Sequence, residues 1–599
     1  MDLASSPRSS LEWSLDDSST CPTTPASSPL FRAAKVDDVS HSSPDAVFSD
    51  DRVKSICVVG AGYVGRFGCI LQLRTTNSTG GPTAAILALY NPSVEVTVLD
   101  RDPRRIQGWK SSHLPVHEPS LYNVVRATRD GSDMANANEA FSKRQPNLFF
   151  TCDSMTIAQA DMVFLAVNTP TKTFGLGAGR ATDMTAVDGA VQEIALHAKP
   201  GAIIVEKSTV PCGTAERVRQ TLSTLRPGVP FEVLSNPEFL SEGSAIENLV
   251  SPDRVLIGSS GTASGRRAAR MLAHLYTWVP PARILQVNAW SSELAKLVAN
   301  AMLAQRISSI NSISAICEKT GAEVDQVARA IGMDARIGSQ FLKAGVGFGG
   351  SCFRKDIASL TYLAESLGLE EVAHYWRQVN TMNEYQRVRF ARRVIQRFDG
   401  NLTGRKIAVL GFAFKKDTGD TRESPVVDVI RLLLEERPAE IAIFDLYCHE
   451  EDILRELESA CGAELVSTKV TILSDPYLAC SQAHAVLVMT DCDQFKNGRK
   501  RTSSRSDSET YESLDEMVSA RKDATWAFHG MTFRLAPQDV CAGDCAACRS
   551  WSPRVASEPL EWARIAYHLQ DPKWVFDGRG CLDGGELEKL GVEVEAIGR

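Results

Sequence analysis

No apolar run in this chain reaches the roughly 20 residues that a membrane-crossing helix needs, and no secretory leader precedes its first polar residues, so a cytoplasmic protein is expected. Positive charge is not in excess either. Its 65 Lys and Arg stand against 73 Asp and Glu, a formal charge of -8, and a nucleic-acid partner, which usually leaves a basic footprint, is not expected. The 15 cysteines are odd in number and scattered, which argues against a disulfide framework and for free thiols in a reducing compartment. Aromatics make up only 7%, but 43% hydrophobic and 23% charged residues are ordinary for folded protein and exclude a collagenous, coiled-coil or wholly disordered chain. At 599 residues the chain exceeds what one core organises, so two to four domains are expected.

Residues 1 to 50 hold 13 Ser and 5 Pro, too little apolar surface to offset chain entropy, and read as a disordered arm. From Ser55 the text changes to short β-branched runs (SICVVG, then residues 94 to 100, 161 to 167, 202 to 208 and 231 to 235) separated by helix-length segments. That rhythm predicts a parallel α/β sheet. Apolar residues at spacings of three and four then predict one long helix from about Trp290 to Lys319, with more helix to about Arg397. The strand rhythm returns at 406 to 414, 440 to 445, 484 to 490 and 573 to 578, a loose repeat of the first half around a helical middle. Residues 497 to 559 interrupt it and read as a flexible insertion; Cys541, Cys545 and Cys548 inside it lack a nearby fourth ligand, so no metal is expected.

Gly60, Gly62 and Gly65 follow directly on the SICVV strand, where a tight turn must bring backbone close to a pyrophosphate. Asp100 at the end of the next strand suits an adenosine ribose and favours NAD over NADP, although its distance of 40 residues from Gly60 is about twice the usual one. A second glycine-dense run, 345 to 350, ends at Ser351 and Cys352, with Arg354 and Lys355 beside them. Cationic neighbours favour a thiolate, which makes Cys352 a candidate nucleophile; an inert buried thiol is the alternative. Lys296 and Asn300 stand four residues apart on the predicted helix and share a face, where a plain solvated surface is the competing reading.

The segments GAGYVG, VNTPT (167 to 171), EKSTVP (206 to 211), SNPEFLSEG (235 to 243), residues 290 to 312, GVGFGGSCFRKD (345 to 356) and GFAFKKDTGDTRES (411 to 424) together resemble the UDP-glucose/GDP-mannose dehydrogenase family, specifically its UDP-glucose-oxidising members. The resemblance spans about residues 52 to 496 and 560 to 599. It implies two Rossmann-like parallel-sheet domains joined by a long central helix and helical domain: 52–285 for NAD, 286–398 for the cysteine and dimerisation, 401–599 for the UDP-sugar. It further implies oxidation of UDP-glucose to UDP-glucuronate with two NAD reduced, and self-association to at least a dimer. The chemistry suits the residue types, because a thiol adding to an intermediate aldehyde gives a thiohemiacetal that can be oxidised again to a thioester. By resemblance Cys352 supplies the thiol, Glu238 the base for hydrolysis, and Lys296, Asn300, Asp356 and Thr209 surround the reacting carbon. Gly60, Gly62, Tyr63, Val64, Gly65, Asp100, Arg105, Thr169, Glu242, Lys355 and Arg422 fall on the cofactor side. Phe239, Leu240, Arg336, Lys343, Phe348, Gly349, Phe414, Lys415 and Arg579 fall around the UDP-sugar, with Arg336 reaching a neighbouring subunit.

One departure bears on activity. Fifteen residues, 66 to 80, stand between Gly65 and the Gly81-Pro82 that should follow it directly. Such an insertion is expected to part the glycine turn from its helix, with that helix restarting at Pro82, and so to weaken NAD binding. A catalytically impaired subunit or mis-spliced variant that still binds UDP-sugar or assembles with intact copies is therefore a second reading. A relative acting on GDP-mannose or UDP-N-acetyl-mannosamine is a third.

Overall fold

The computed structural model describes residues 52–61, 80–116, 118–135, 141–497, 525–536 and 559–599. The amino-terminal arm, Gly62 to Gly65, residues 66 to 79 and the three clustered cysteines therefore lie outside the described residues. The first half of the chain contributes β1 (Ser55–Val59), β2 (Glu95–Leu99), β3 (Ser132–Ala135), β4 (Phe141–Arg144), β5 (Leu148–Thr151), β6 (Met162–Leu165), β7 (Ile203–Glu206), β8 (Glu232–Ser235), β9 (Val255–Ser259) and β10 (Ile284–Asn288). All but β3 and β4 form one sheet in the order β10-β9-β8-β7-β6-β1-β2-β5, parallel except where β8 meets β9. The second half adds β11 (Lys406–Leu410), β12 (Glu440–Phe444), β13 (Val470–Ile472), β14 (Ala485–Val488), β15 (Thr525–Phe528), β16 (Met531–Leu535), β17 (Trp574–Asp577) and β18 (Glu593–Ala596). Six of these make an all-parallel sheet, β13-β12-β11-β14-β17-β18.

Central strands such as β6, β7 and β14 are buried at every position. Helices cover both faces of a parallel sheet, which is why these strands read as unbroken apolar runs rather than alternating ones. In each sheet the chain leaves a central strand to opposite sides: β1 lies between β2 and β6, β11 between β12 and β14. The loops at their carboxyl ends diverge there and open a crevice. Between the sheets runs one helix, Ala289–Thr320, capped by Asn288 accepting from the Ser291 N–H and ended by Gly321 at φ 76°. The helices Phe353–Ser366 and Glu370–Gln396 pack beside it. Among the described residues no helix is long and apolar enough to cross a membrane.

Two expectations need correction. The helix after the glycine turn begins at Gly80, not Pro82, and its start is seated on Gly60: a side chain at Gly80 would fall 2.0 Å from the Gly60 carbonyl oxygen. The described residues that flank 62–79 are therefore adjacent, with the start of the helix seated on the first glycine of the turn. The segment 497 to 559, expected to be flexible throughout, contains the β15–β16 hairpin. That hairpin joins β3 and β4 in a third, antiparallel sheet, β15-β16-β3-β4, on the amino-terminal domain. Phe528, Phe533 and Leu535 are at most 5% exposed and belong to that domain's core. Arg126 donates to the Ala536 carbonyl at 2.7 Å, and His529 lies 3.1 Å from the Glu247 carboxylate.

Candidate active site

At the β1 crevice, Gly60 has φ 107°, and a Cβ on it would meet the Ala166 carbonyl oxygen at 2.5 Å, so no other residue fits the turn. The next residue is held at both backbone groups: Ala61 N–H donates to Asp100 Oδ2 at 2.8 Å, and Trp109 Nε1 donates to the Ala61 carbonyl at 3.1 Å. Asp100 is buried and also accepts from Arg105 Nη1 at 2.9 and 3.0 Å. A glycine-only turn against a helix start, with a carboxylate at the end of β2, fits the pyrophosphate and ribose of a dinucleotide. On the other side of the crevice Thr169 donates to the Thr209 carbonyl at 2.7 Å, and Lys355 Nζ lies 3.5 Å from the Thr169 hydroxyl.

Cys352 stands immediately before the helix Phe353–Ser366, its Sγ 3.8 Å from the Ser351 hydroxyl. Solvent reaches it, yet polypeptide crowds it on several sides. That desolvation, and then the Asp356 and Glu242 carboxyls, push the thiol up, while Lys355 and Lys296 pull it down. One turn along, Asp356 is 1% exposed; its Oδ2 accepts from Asn300 Nδ2 at 2.6 Å and its Oδ1 lies 3.4 Å from Lys355 Nζ. Lys296 is buried one turn before Asn300, with its Nζ 5.2 Å from the Phe239 ring centroid. Glu238, next in sequence to that ring, has a buried Oε2 with no hydrogen-bond partner among the described residues. The helix face that competed with a solvated reading is thus an inward one.

The glycine run 345–350 is clamped by polar side chains that sequence reasoning missed. Asn311 Oδ1 accepts from the Gly345 N–H, and Gln386 Nε2 donates to the Gly345 carbonyl, at 2.9 and 2.7 Å. Asn383 bonds both backbone groups of Phe348, whose carbonyl also accepts from Arg387. All four are at most 5% exposed. The signal was present as 383, 386 and 387 on one face of a helix, but polar residues at that spacing usually face water. The run also packs on the carboxyl end of β11, where a Cβ at Gly349 would meet the Glu423 carbonyl at 2.5 Å and the Phe414 Cβ at 2.8 Å. Arg579, after β17, donates to the carbonyls of Met489, Gly347 and Phe414, and burial pushes its guanidinium down to about 10, still cationic at neutral pH. Lys343 pairs with Asp491 at 3.0 Å.

The two sheets meet in the same place. Lys415 Nζ donates to the Ser241 hydroxyl at 2.8 Å and the Glu242 carbonyl at 2.7 Å. Arg422 Nη2 is 3.7 Å from Glu242, and the Arg422 carbonyl accepts from the Gly350 N–H at 3.1 Å. Leu240 packs on the amino-terminal core. Arg254, another residue missed from sequence, stacks 3.8 Å from the Phe239 centroid. Of the expected site residues that the structure describes, Arg336 stands apart: its side chain is 89% exposed and bonds to Asp334.

Three family models match the chain in order: the UDP-glucose/GDP-mannose dehydrogenase NAD binding domain over residues 54–279, its central domain over 290–385 and its UDP binding domain over 408–509. UDP-glucose 6-dehydrogenase 1 of Arabidopsis thaliana is 41% identical over 91% of this chain and 97% of its own. The UDP-glucose 6-dehydrogenase of Mus musculus is 42% identical over 91% and 94%. Among solved structures, a UDP-glucose dehydrogenase from the archaeon Pyrobaculum islandicum aligns over 74% of this chain and 91% of its own with a TM-score of 0.60 at 30% identity. With the family's three domains in order and relatives aligned along nine-tenths of its length, the chain belongs to the UDP-glucose/GDP-mannose dehydrogenase family.

Proposed function

We propose that this chain is an NAD-dependent UDP-glucose 6-dehydrogenase that takes the primary alcohol of UDP-glucose to the carboxylate of UDP-glucuronate. The relatives at 41–42% identity that bear that name support the choice of UDP-glucose over GDP-mannose. The observation that carries the reading is the position of Cys352 between the crevices of two parallel sheets, with Lys296, Asn300 and Asp356 on one side and a free Glu238 oxygen nearby. When bound, NAD accepts hydride in each of the two oxidations.

Gly60, Asp100, Arg105 and Thr169 would hold the cofactor, and Phe414, Lys415 and Arg579 the UDP moiety. The Cys352 sulfur adds to the aldehyde carbon, and the carbonyl oxygen gains the negative charge. Lys296 and the Asn300 amide stabilise it; one Asn300 N–H is committed to Asp356, which fixes the amide and leaves the second for the oxygen. At the thioester stage Glu238 takes a proton from water, whose oxygen attacks the carbonyl carbon. The carbon–sulfur bond breaks, the sulfur regains a proton and the carboxylate leaves. Self-association to at least a dimer is part of the reading: Met302 and Ile316 on the 289–320 helix are 50% and 56% exposed, and Arg336 projects outward as a residue serving a neighbour's site would.

Cys352→Ser tests the reading. UDP-glucuronate formation should fall at least about a thousandfold while UDP-glucose affinity, by titration calorimetry, changes little. Undiminished UDP-glucuronate production would overturn the assignment.

A further inference from the structure

The segment from Asn236 to Ala245 is gripped from both halves of the chain. From the carboxyl-terminal half, Lys415 Nζ donates to the Ser241 hydroxyl and the Glu242 carbonyl. Gly243 packs on the same half: its φ is 76°, and a Cβ on it would fall 2.5 Å from the Asp417 carbonyl oxygen. From the amino-terminal half the grip is Glu118, a residue that the sequence did not single out. Its Oε1 accepts from the Gly243 N–H at 2.9 Å and its Oε2 from the Ala245 N–H at 3.0 Å. Glu118 is half-buried, and its own carbonyl accepts from the Leu121 N–H at 3.2 Å, where the helix Leu121–Arg129 begins. Both carboxyl oxygens are thus spent on main-chain donors, so the side chain can act only through the segment it holds. That segment carries Phe239 and Leu240, and it occupies two of the three donors of Lys415, which leaves the third for a diphosphate.

We propose that Glu118 is a positioning residue for the UDP-sugar: by holding the main chain at Gly243 and Ala245, it presents Ser241 and Glu242 to Lys415 and aligns Phe239 and Leu240 with the carboxyl-terminal sheet. The inference rests on the reading of this crevice as the UDP-glucose site, and its test reads binding at the two crevices separately.

Titration calorimetry on the full chain measures two probes: UDP-glucose, and ADP-ribose, which is the cofactor without its nicotinamide and suits the crevice at Gly60 and Asp100. Glu118→Ala removes both bonds to the segment. It should raise the Kd of UDP-glucose at least about fivefold, while that of ADP-ribose stays within about twofold. In turnover the KM for UDP-glucose should rise with its Kd, and kcat should keep at least about half its value. Glu118→Gln keeps one acceptor, so its UDP-glucose Kd should fall between those of the parent and Glu118→Ala. An unmoved UDP-glucose Kd in Glu118→Ala would overturn the proposal. So would equal weakening of both probes, the sign of a merely structural Glu118. If Glu118→Ala fails to fold, Glu118→Gln alone decides: a UDP-glucose Kd at the parent value would sink the proposal, and a selective rise would sustain it. Failure of the function reading would show separately, as a parent chain that binds no UDP-glucose at all, and this inference would fall with it.

Discussion

Glu206, at the end of β7, is 1% exposed, its two carboxyl oxygens make no hydrogen bond among the described residues, and the Glu293 carboxyl on the central helix acts on it. Glu293 accepts from the N–H groups of Gly213 and Ala215 at the start of the helix Thr214–Leu225, donors that favour its charged form, whereas Glu206 has none. Burial, then the Glu293 charge, raise Glu206 well above the ordinary glutamate value of 4.5. A carboxyl raised in the folded state contributes its stability below the unfolded value and loses it as pH climbs toward the folded one. Glu206→Gln keeps the size of the side chain and removes the titration. As pH climbs above the ordinary glutamate range, the parent protein should therefore lose stability relative to Glu206→Gln, read as a widening gap between their thermal melts. Parallel curves for the two proteins would show that Glu206 is already charged when buried.

Among elements, the helix Gly80–Tyr90 shows how packing seats a segment that follows an insertion. Ten of its eleven residues are buried, and Gly81 leaves room for nothing larger, since a Cβ there would meet the Trp109 ring at 2.1 Å. Packing, rather than chain continuity with Gly65, places this helix under the glycine turn. Deleting 66 to 80 should therefore change NAD affinity by less than about tenfold, measured by titration calorimetry, and a larger gain would show that the inserted residues obstruct the crevice. The parallel strands and the 289–320 helix were legible because burial on both faces, or on one helical face, imposes a long apolar pattern. β3 and β4, spelled SDMA and FSKR, have none. The hairpin did carry a signal: Trp526 and Phe528, then Phe533 and Leu535, alternate around His529 and Gly530, whose φ values of 44° and 78° make the left-handed two-residue turn. It was hidden by the polar text on either side. At the site, resemblance marked the reacting residues, whereas the buried clamps Asn311, Asn383 and Gln386 gain meaning only once the glycine run is folded against them.

Over the whole molecule, the parts are bound together by exchange between distant stretches of chain. Arg579 reaches Gly347, Lys415 reaches Ser241, and β16 reaches back to pair with β3, Leu535 opposite Ser132. Residues 525–536 fall outside all three family matches, yet Phe533 is fully buried in the amino-terminal core. Phe533→Ala should destabilise that domain by about 3 to 5 kcal/mol, read as a lowered first transition in calorimetry, and an unchanged melt would show that the hairpin docks without contributing. The same pairing sets a schedule for synthesis. A domain whose other strands end at Asn288 waits for a strand made some 400 residues after its partner. At the usual 5 to 20 residues per second, that delay is about 20 to 80 s. During it the nascent chain presents the open edge of β3 and the apolar floor beneath the missing hairpin, so the ribosome-bound chain depends on chaperone cover for longer than a contiguous domain would.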